Sequence, residues 1–205
     1  MSKTITFVTG NANKLLEVQR MLASSGCQFN ITSKDLDLPE LQGLPNDVAE
    51  NKCKHAAALV KGPVLVEDTS LCFNALNGLP GVYVKWFLDL THREGLAKML
   101  AGYEDKSAYA QCIFALSAGP NHPVHLFIGQ TAGKVVDPRF PPNEKPFGWD
   151  PIFEPDEGHG RTFAEMSKDE KNAISHRGRA LAKVLAFFPT WTEIDEPDDK
   201  KQKTV

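Results

Sequence analysis

The chain has 205 residues, 41% of them hydrophobic and 24% charged, which is the composition of an ordinary globular protein with one domain or two closely joined lobes. A net charge of −3 argues against nucleic acid as the main partner, because nucleic-acid-binding proteins are usually basic. No apolar run approaches the roughly 20 residues of a membrane span, and the few residues before Thr4 leave no room for a signal peptide. The scattered cysteines favour free thiols over a zinc site. We therefore expect a cytoplasmic protein with no membrane or nucleic-acid partner.

Strands and helices alternate in the first part of the chain. β-branched runs predict the strands, and apolar residues at helical spacing predict the helices. The predicted elements are a strand at Thr4–Val8, a helix from Leu15 to Gly26, a helix from Asp47 to Lys61 and a strand at Pro63–Val66. The last strand ends in Glu67 and Asp68, and two adjacent acids are unusual in a buried run.

The second part of the chain mixes paired strands with two helices that open on capping boxes. The predicted elements are a helix from Thr91–Glu94 to Leu100, strands at Ala108–Ser117 and Val124–Ile128 with an extension over Gly129–Val136, a proline-rich loop at Pro138–Pro146, and a helix from Ser167–Glu170 to about Phe188. This order predicts an α/β fold with a mixed β-sheet. We expect a single domain over residues 1–189 and a flexible tail over residues 190–205.

The turn at Thr9–Lys14 lies between the first strand and the first helix. Backbone N–H groups at a helix N-terminus suit a phosphate, Gly10 permits a close approach, and Lys14 can reach the same anion. The spacing is not that of a P-loop. An ordinary helix capped by asparagine explains this segment equally well.

The acidic pair Glu67 and Asp68 stands where the predicted strand Pro63–Val66 ends. Ligands of open α/β sheets bind beyond the carboxyl ends of strands, and carboxylates there suit Mg²⁺. Glu40, in the loop after Leu38, is a further candidate acid. A solvated strand end is the simpler explanation of the same residues.

Basic and aromatic residues interrupt the last part of the chain. In the helix after Ser167, Arg177 occupies the apolar stripe between Ile174 and Leu181, where a guanidinium is rare unless it is paired or recognises a ligand. Upstream, residues 147–151 bring two aromatics and an acid, a composition that can stack a flat ring and bind its edge. A structural arginine paired with a carboxylate, beside a loop aromatic that fills the core, remains the alternative.

Five motifs in this order resemble one enzyme family. They are Thr9-Gly10-Asn11-Ala12-Asn13-Lys14, Val66-Glu67-Asp68-Thr69, Gly78-Leu79-Pro80-Gly81, Phe147-Gly148-Trp149-Asp150-Pro151 and Ser175-His176-Arg177. Together they are similar to the inosine triphosphate pyrophosphatases, which act on non-standard purine nucleoside triphosphates, and the resemblance covers about residues 4–188. Leu71–Leu76 and Lys85-Trp86-Phe87 resemble the eukaryotic branch of that family.

The resemblance implies a long mixed sheet with flanking helices, two lobes around a central cleft, and a homodimer. It implies hydrolysis of ITP, dITP and XTP to the monophosphate and pyrophosphate with Mg²⁺, for which Mn²⁺ can substitute. The residues that match the family's binding positions are Thr9, Gly10, Asn11, Ala12, Asn13, Lys14 and Lys52 for the phosphates, Glu40 and Asp68 for the metal, and Thr69, Lys85, Phe147, Gly148, Trp149, Asp150, Lys171, His176 and Arg177 for the rest of the nucleotide.

The expected chemistry is the attack of water on the α-phosphorus. Asp68 is the first candidate to activate the water and Glu67 the second. Donors from His176 and Arg177 would select a 6-keto purine over adenine. Two alternatives remain: a pyrophosphatase for other modified nucleotides, and a non-catalytic nucleotide sensor. The three acids Glu40, Glu67 and Asp68 disfavour the sensor.

Overall fold

A computed structural model of the chain describes residues 4–24, 30–141 and 147–191. The helices are α1 Ala12–Ser24, α2 Pro45–Val60, α3 Val84–Lys98, α4 Lys168–Ile174 and α5 His176–Phe187. The strands are β1 Thr4–Val8, β2 Asn30–Lys34, β3 Val64–Phe73, β4 Pro80–Gly81, β5 Ser107–Ser117, β6 Val124–Val135 and β7 Phe153–Pro155. No described helix is long and apolar enough to cross a membrane.

The strands form one seven-stranded sheet in the order β2-β1-β3-β5-β6-β7, with β4 paired to β3. β1 is parallel to both β2 and β3, whereas β3 pairs with β4 and β6 with β7 in the antiparallel sense. The mixed α/β sheet predicted from the sequence is therefore confirmed. The short strands β2, β4 and β7 have too little β-branched or alternating character to be recognised from the sequence.

The described residues divide into two compact units. The first comprises those in ranges 1–68, 113–128 and 180–205, and the second those in ranges 69–112 and 129–179. In the first unit, apolar residues of β1, α2 and β3 form the core, with Val8, Cys53 and Val66 fully or almost fully buried. In the second, a larger aromatic core includes Trp149 and Phe153. Each unit thus has its own apolar core to position the polar groups described below.

The acidic pair does not end a strand, and that prediction is wrong. β3 continues from Val64 to Phe73, so Glu67 and Asp68 lie inside it. Since β1 stops at Val8, opposite Val66, the two acids lie just past the carboxyl end of the neighbouring strand. The later part of β3 continues because Leu71 and Cys72 pair with β4.

Two helix predictions also need correction. The single helix expected from Ser167 to Phe188 is broken at Ser175, whose ψ of 151° is extended, so α4 and α5 are separate helices. Gly178 allows this break, because a Cβ there would lie 2.1 Å from the Asn172 carbonyl oxygen. The helix expected from Thr91 to Leu100 corresponds to the second part of α3, after the non-helical residue His92, and the helical stretch from Val84 up to that break was not predicted.

The other boundaries agree more closely with the sequence. The strand at Val124 extends to Val135, as expected, and the capping box of Ser167 with Glu170 is present. Of the predicted tail, Trp191 is buried against Phe188, and residues 192–205 lie outside the described residues. Residues 142–146 of the proline-rich loop also lie outside them.

Candidate functional site

The turn after β1 is built around an asparagine cap. The Asn11 side-chain oxygen accepts hydrogen bonds from the backbone N–H groups of Asn13 and Lys14, both at 3.1 Å. The Thr9 hydroxyl accepts one from the N–H of Asn11 at 3.1 Å. The asparagine-capped helix is therefore present. The cap holds Thr9–Lys14 in one conformation at the positive end of α1, where an anion is stabilised.

Lys14 is paired with the more buried of the two acids. Its ammonium forms an ion pair with Glu67, whose side chain is only 1% exposed, while the Lys14 side chain is 19% exposed. A buried carboxylate requires such a partner. Since an ammonium has three donors, Lys14 can hold Glu67 and still reach an anion in solvent.

Asp68 has a different environment from its neighbour. The ammonium of Lys52 lies 3.4 Å from an Asp68 carboxylate oxygen and donates at 3.0 Å to the carbonyl oxygen of Glu67. The Asp68 side chain stays 21% exposed. Burial raises the pKa of Asp68 above its usual value, and the positive charges of Lys52 and Lys14 oppose this effect. In the first unit, Asp68 is thus the acid of the pair that faces solvent.

The acids fit a metal that the ligand helps to bind. Within ranges 4–24, 30–141 and 147–191, no three His, Cys, Asp or Glu side chains converge as a complete metal site. Mg²⁺, however, usually takes one or two carboxylates and completes its shell with waters and substrate phosphates. Asp68 offers one accessible carboxylate, and Glu40 lies exposed in the loop after β2. Carboxylates of this kind are the ligands that Mg²⁺ takes beside a phosphate.

Aromatic rings surround His176 in the second unit. Its ring centroid lies 5.4 Å from that of Trp149 and 5.9 Å from that of Phe163. All three side chains are buried. Phe163 was not among the predicted site residues, although the capping box of Thr162 with Glu165 around it is a recognisable sequence signal.

A buried ion pair lies beside this aromatic layer. The Lys171 ammonium donates to an Asp150 carboxylate oxygen at 2.6 Å, and both residues are 6% exposed. The same ammonium lies 5.2 Å from the ring centroid of Phe147 and 5.5 Å from that of Phe163. Cation–π attraction of this kind is strongest where water is excluded.

Arg177 provides a second cation next to the Phe147 ring. Its guanidinium lies 5.9 Å from the centroid of the Phe147 ring, and it donates to the Thr69 hydroxyl at 3.2 Å. Arg177 is only 2% exposed, as its position on the apolar stripe suggested, although α5 begins anew at His176. Lys85, by contrast, lies exposed near the start of α3 with its ammonium 5.9 Å from the Trp86 ring.

The geometry of the second unit defines what this cluster can bind. Phe147 has two cations against its ring, and Asp150 fixes one of them. Rings next to fixed donors and an acceptor bind a flat, polar ligand, since the rings stack and the polar groups recognise its edge. The first unit separately presents cations on α1 and α2, Lys14 and Lys52. Each set is a feature of α/β proteins that bind nucleotides.

Comparisons with known proteins agree. The model of the Ham1 family matches residues 5–187. The chain is similar to the structure of a HAM1 protein from Coxiella burnetii, with 30% identity and a TM-score of 0.79 over 92% of this chain and 99% of that one. It is similar to the Staphylococcus aureus Ham1 protein, with 27% identity and a TM-score of 0.77 over 92% and 99% of the two chains. A nucleoside-triphosphatase / dITP/XTP pyrophosphatase from Mycobacterium abscessus has 28% identity and a TM-score of 0.67, with 89% and 98% covered.

The chain belongs to the Ham1 family. The resemblance read from the five sequence motifs is therefore confirmed at the level of the family and its fold.

Proposed function

We propose that this chain hydrolyses deaminated purine nucleoside triphosphates, namely ITP, dITP and XTP, to the monophosphate and pyrophosphate. Its family makes it a hydrolase acting on nucleoside triphosphates, and its relative from M. abscessus is named as a dITP/XTP pyrophosphatase. Hydrolysis of these nucleotides would keep inosine and xanthosine out of DNA and RNA. The observation that carries the choice of a purine is the Phe147 ring, which can stack a base and has the cations of Lys171 and Arg177 at 5.2 and 5.9 Å from its centroid.

The phosphate end of the substrate requires positive charge and an activated water. Lys14 and Lys52 supply the charge. Asp68 and Glu40 would hold Mg²⁺, and the bound metal would stabilise the leaving pyrophosphate electrostatically. Asp68 is the better candidate to orient and deprotonate the water, because its carboxylate faces solvent. Glu67 is buried and paired with Lys14, which suits a residue that positions the lysine.

At the base end, the protein must accept a 6-keto purine and refuse the 6-amino group of adenine. A buried donor aimed at the keto oxygen would be left unpaired opposite an amino group, and this penalises ATP. Arg177 and His176 are buried, and their side chains carry N–H groups that can donate a hydrogen bond to this oxygen. Arg177 already donates to the Thr69 hydroxyl, which fixes the plane of its guanidinium.

The test is a screen for pyrophosphate release from ITP, XTP, dUTP, ATP and GTP, with and without Mg²⁺. We expect release from ITP and XTP at least about tenfold above ATP, and none without a divalent metal. Preferred release from dUTP would instead make the chain a pyrophosphatase for other modified nucleotides. Tight binding of ITP without release of pyrophosphate would make it a sensor.

We also propose a cytoplasmic homodimer, as the family resemblance implies. The second unit exposes apolar side chains around α3, with Leu90 77% and Trp86 54% exposed. Large apolar side chains exposed close together are unusual on the surface of a monomer. Light scattering at micromolar concentration should give twice the mass of the chain, and a monomer would contradict this assembly while leaving the proposed reaction intact.

A further inference from the structure

Helix α3 contains a backbone conformation that its sequence does not favour. Within Val84–Lys98, His92 has φ 58° and ψ −173°, a combination that residues with a side chain rarely adopt. The helix on the N-terminal side ends with the Thr91 hydroxyl donating to the Phe87 carbonyl at 2.7 Å. Such a conformation persists where the surrounding structure fixes it, so the contacts made just past the break are informative.

The residue that follows the break, Arg93, contacts both sides of the proline-rich loop. Its Nε–H donates to the carbonyl oxygen of Gly148 at 2.6 Å. Its guanidinium carbon lies 6.0 Å from the centroid of the Phe140 ring. One side chain on α3 thus links the segment before the loop's undescribed residues to the segment after them.

The Gly148 carbonyl differs from its two neighbours because it accepts a hydrogen bond from a side chain, that of Arg93. The neighbouring carbonyls accept from local backbone groups, since Asp150 N–H bonds to Phe147 and Ile152 N–H to Trp149, each at 3.0 Å. Gly148 itself has a φ of 49°, in the left-handed region. Among the described residues, the Gly148 carbonyl accepts from no local backbone N–H, and the charged donor on α3 orients this peptide.

The orientation of that peptide determines how two rings are placed. Phe147 precedes Gly148 and faces the cations of Lys171 and Arg177, while Trp149 follows it and is buried in the core. A rotation at Gly148 would move the Phe147 ring relative to the buried Trp149. In the described contacts, the other polar side chains next to the proline-rich loop form no hydrogen bond with this peptide. Arg139, for instance, bonds to Gly160 and Glu154.

We propose that Arg93 is a positioning residue for recognition of the purine base. By fixing the Gly148 peptide, it holds the Phe147 ring against Lys171 and Arg177 in the geometry that stacks a base. The proposal rests on the proposed function, because it takes Phe147, Lys171 and Arg177 to be the residues that bind the base of a nucleotide. Arg93 itself does not touch the reacting phosphates in this assignment.

The test replaces Arg93 by methionine, which keeps much of the aliphatic stem and removes the donors. Arg93→Met should raise KM for ITP roughly tenfold, the scale of losing one charged hydrogen bond, with kcat changed by less than about twofold. The inhibition constant of tripolyphosphate, which has no base, should remain within about twofold of the wild-type value. Glu94→Gln removes a neighbouring exposed charge from the same helix and should change neither value.

A loss of melting temperature with unchanged KM would overturn the proposal, as would an equal weakening of ITP and tripolyphosphate. Hydrogen exchange gives a second readout that does not depend on activity. In Arg93→Met, the amides of Asp150 and Ile152 should exchange faster, and those of β5 should keep their protection. If the wild-type protein hydrolyses no nucleotide, the proposed function fails and the assignment to a base falls with it. Unchanged exchange in the variant would separately refute the anchoring of Gly148.

Discussion

A buried carboxylate pairs with a lysine in both units, Glu67 with Lys14 in the first and Asp150 with Lys171 in the second, and the two pairs differ in the exposure of the lysine. Lys14 keeps a side-chain exposure of 19% beside the buried Glu67, whereas Lys171 keeps only 8% beside Asp150. Lys171 is also enclosed by the rings of Phe147 and Phe163. The first pair can therefore offer its cation to an anion that arrives from solvent. The second pair is part of the packed core and gives its cation a fixed direction.

This difference bears on how binding and stability are divided between the units. A partly exposed ammonium can bind an incoming anion while it keeps its own carboxylate, because it has three donors. An enclosed ammonium has no such freedom, and removing it leaves a buried charge unpaired. We therefore expect substitution of the partly exposed Asp68 to act mainly on turnover, and substitution of the enclosed pair to act first on folding.

The largest effect should follow from Lys171→Met. The Asp150 carboxylate would remain buried without its partner, a change that costs about 3–5 kcal/mol of unfolding free energy. Denaturant unfolding measures this change in free energy, for the single variant and for the double variant that combines Lys171→Met with Asp150→Asn. The double variant should regain much of the loss, because no buried charge is left, and failure to regain any would show that the lysine contributes by packing alone.

Asp68→Asn should leave the fold intact and lower kcat for ITP by at least about a hundredfold, the scale of losing a general base or a metal ligand. The side chain is nearly isosteric and partly exposed, so the melting temperature should change little. Steady-state kinetics beside a melting curve check this. Turnover close to wild type would remove Asp68 from its proposed role and leave Glu67 as the candidate.

Arg177→Met should separate recognition from support in the second unit. If the guanidinium donates to the 6-keto oxygen, the ratio of kcat/KM for ITP to that for ATP should fall about 10- to 100-fold, since a charged hydrogen bond contributes about 1.5–3 kcal/mol. Thr69→Val is the matched control, as it removes the hydroxyl that Arg177 bonds. It should lower the ratio less than Arg177→Met does. A constant ratio in both variants, with reduced stability, would make Arg177 a structural residue.

The smallest effect is expected from Ser167→Ala at the start of α4. Its hydroxyl caps the helix by accepting from the Glu170 N–H at 3.3 Å. Loss of such a cap costs about 1 kcal/mol, which thermal unfolding can resolve. Ser167 is not among the predicted site residues, so kcat/KM for ITP should be unchanged, and a fall of tenfold would mean that α4 itself must be held rigidly for catalysis.

The sequence by itself determined the class of fold, most strands and helices, and the family. The β-branched runs, the capping boxes and the five motifs depend on local spacing, which a single sequence displays directly. The family resemblance they carried was confirmed. The exposure of Asp68 and the burial of Glu67 were not readable in this way, because two adjacent acids look equivalent until the neighbouring strand and helix are in place.

The tertiary structure decided where elements break and which charges meet. The continuous helix read from Ser167 onward is broken at Ser175, and Gly178 allows this break because a side chain there would meet the Asn172 carbonyl. β3 runs past its acids since β4 provides a second set of backbone partners. The pairing of Arg93 with Gly148 joins residues 55 positions apart, and no local pattern encodes it. Contacts of this range depend on the packing of the whole unit, which is why the sequence could propose residues for the site but not the partners that each of them contacts.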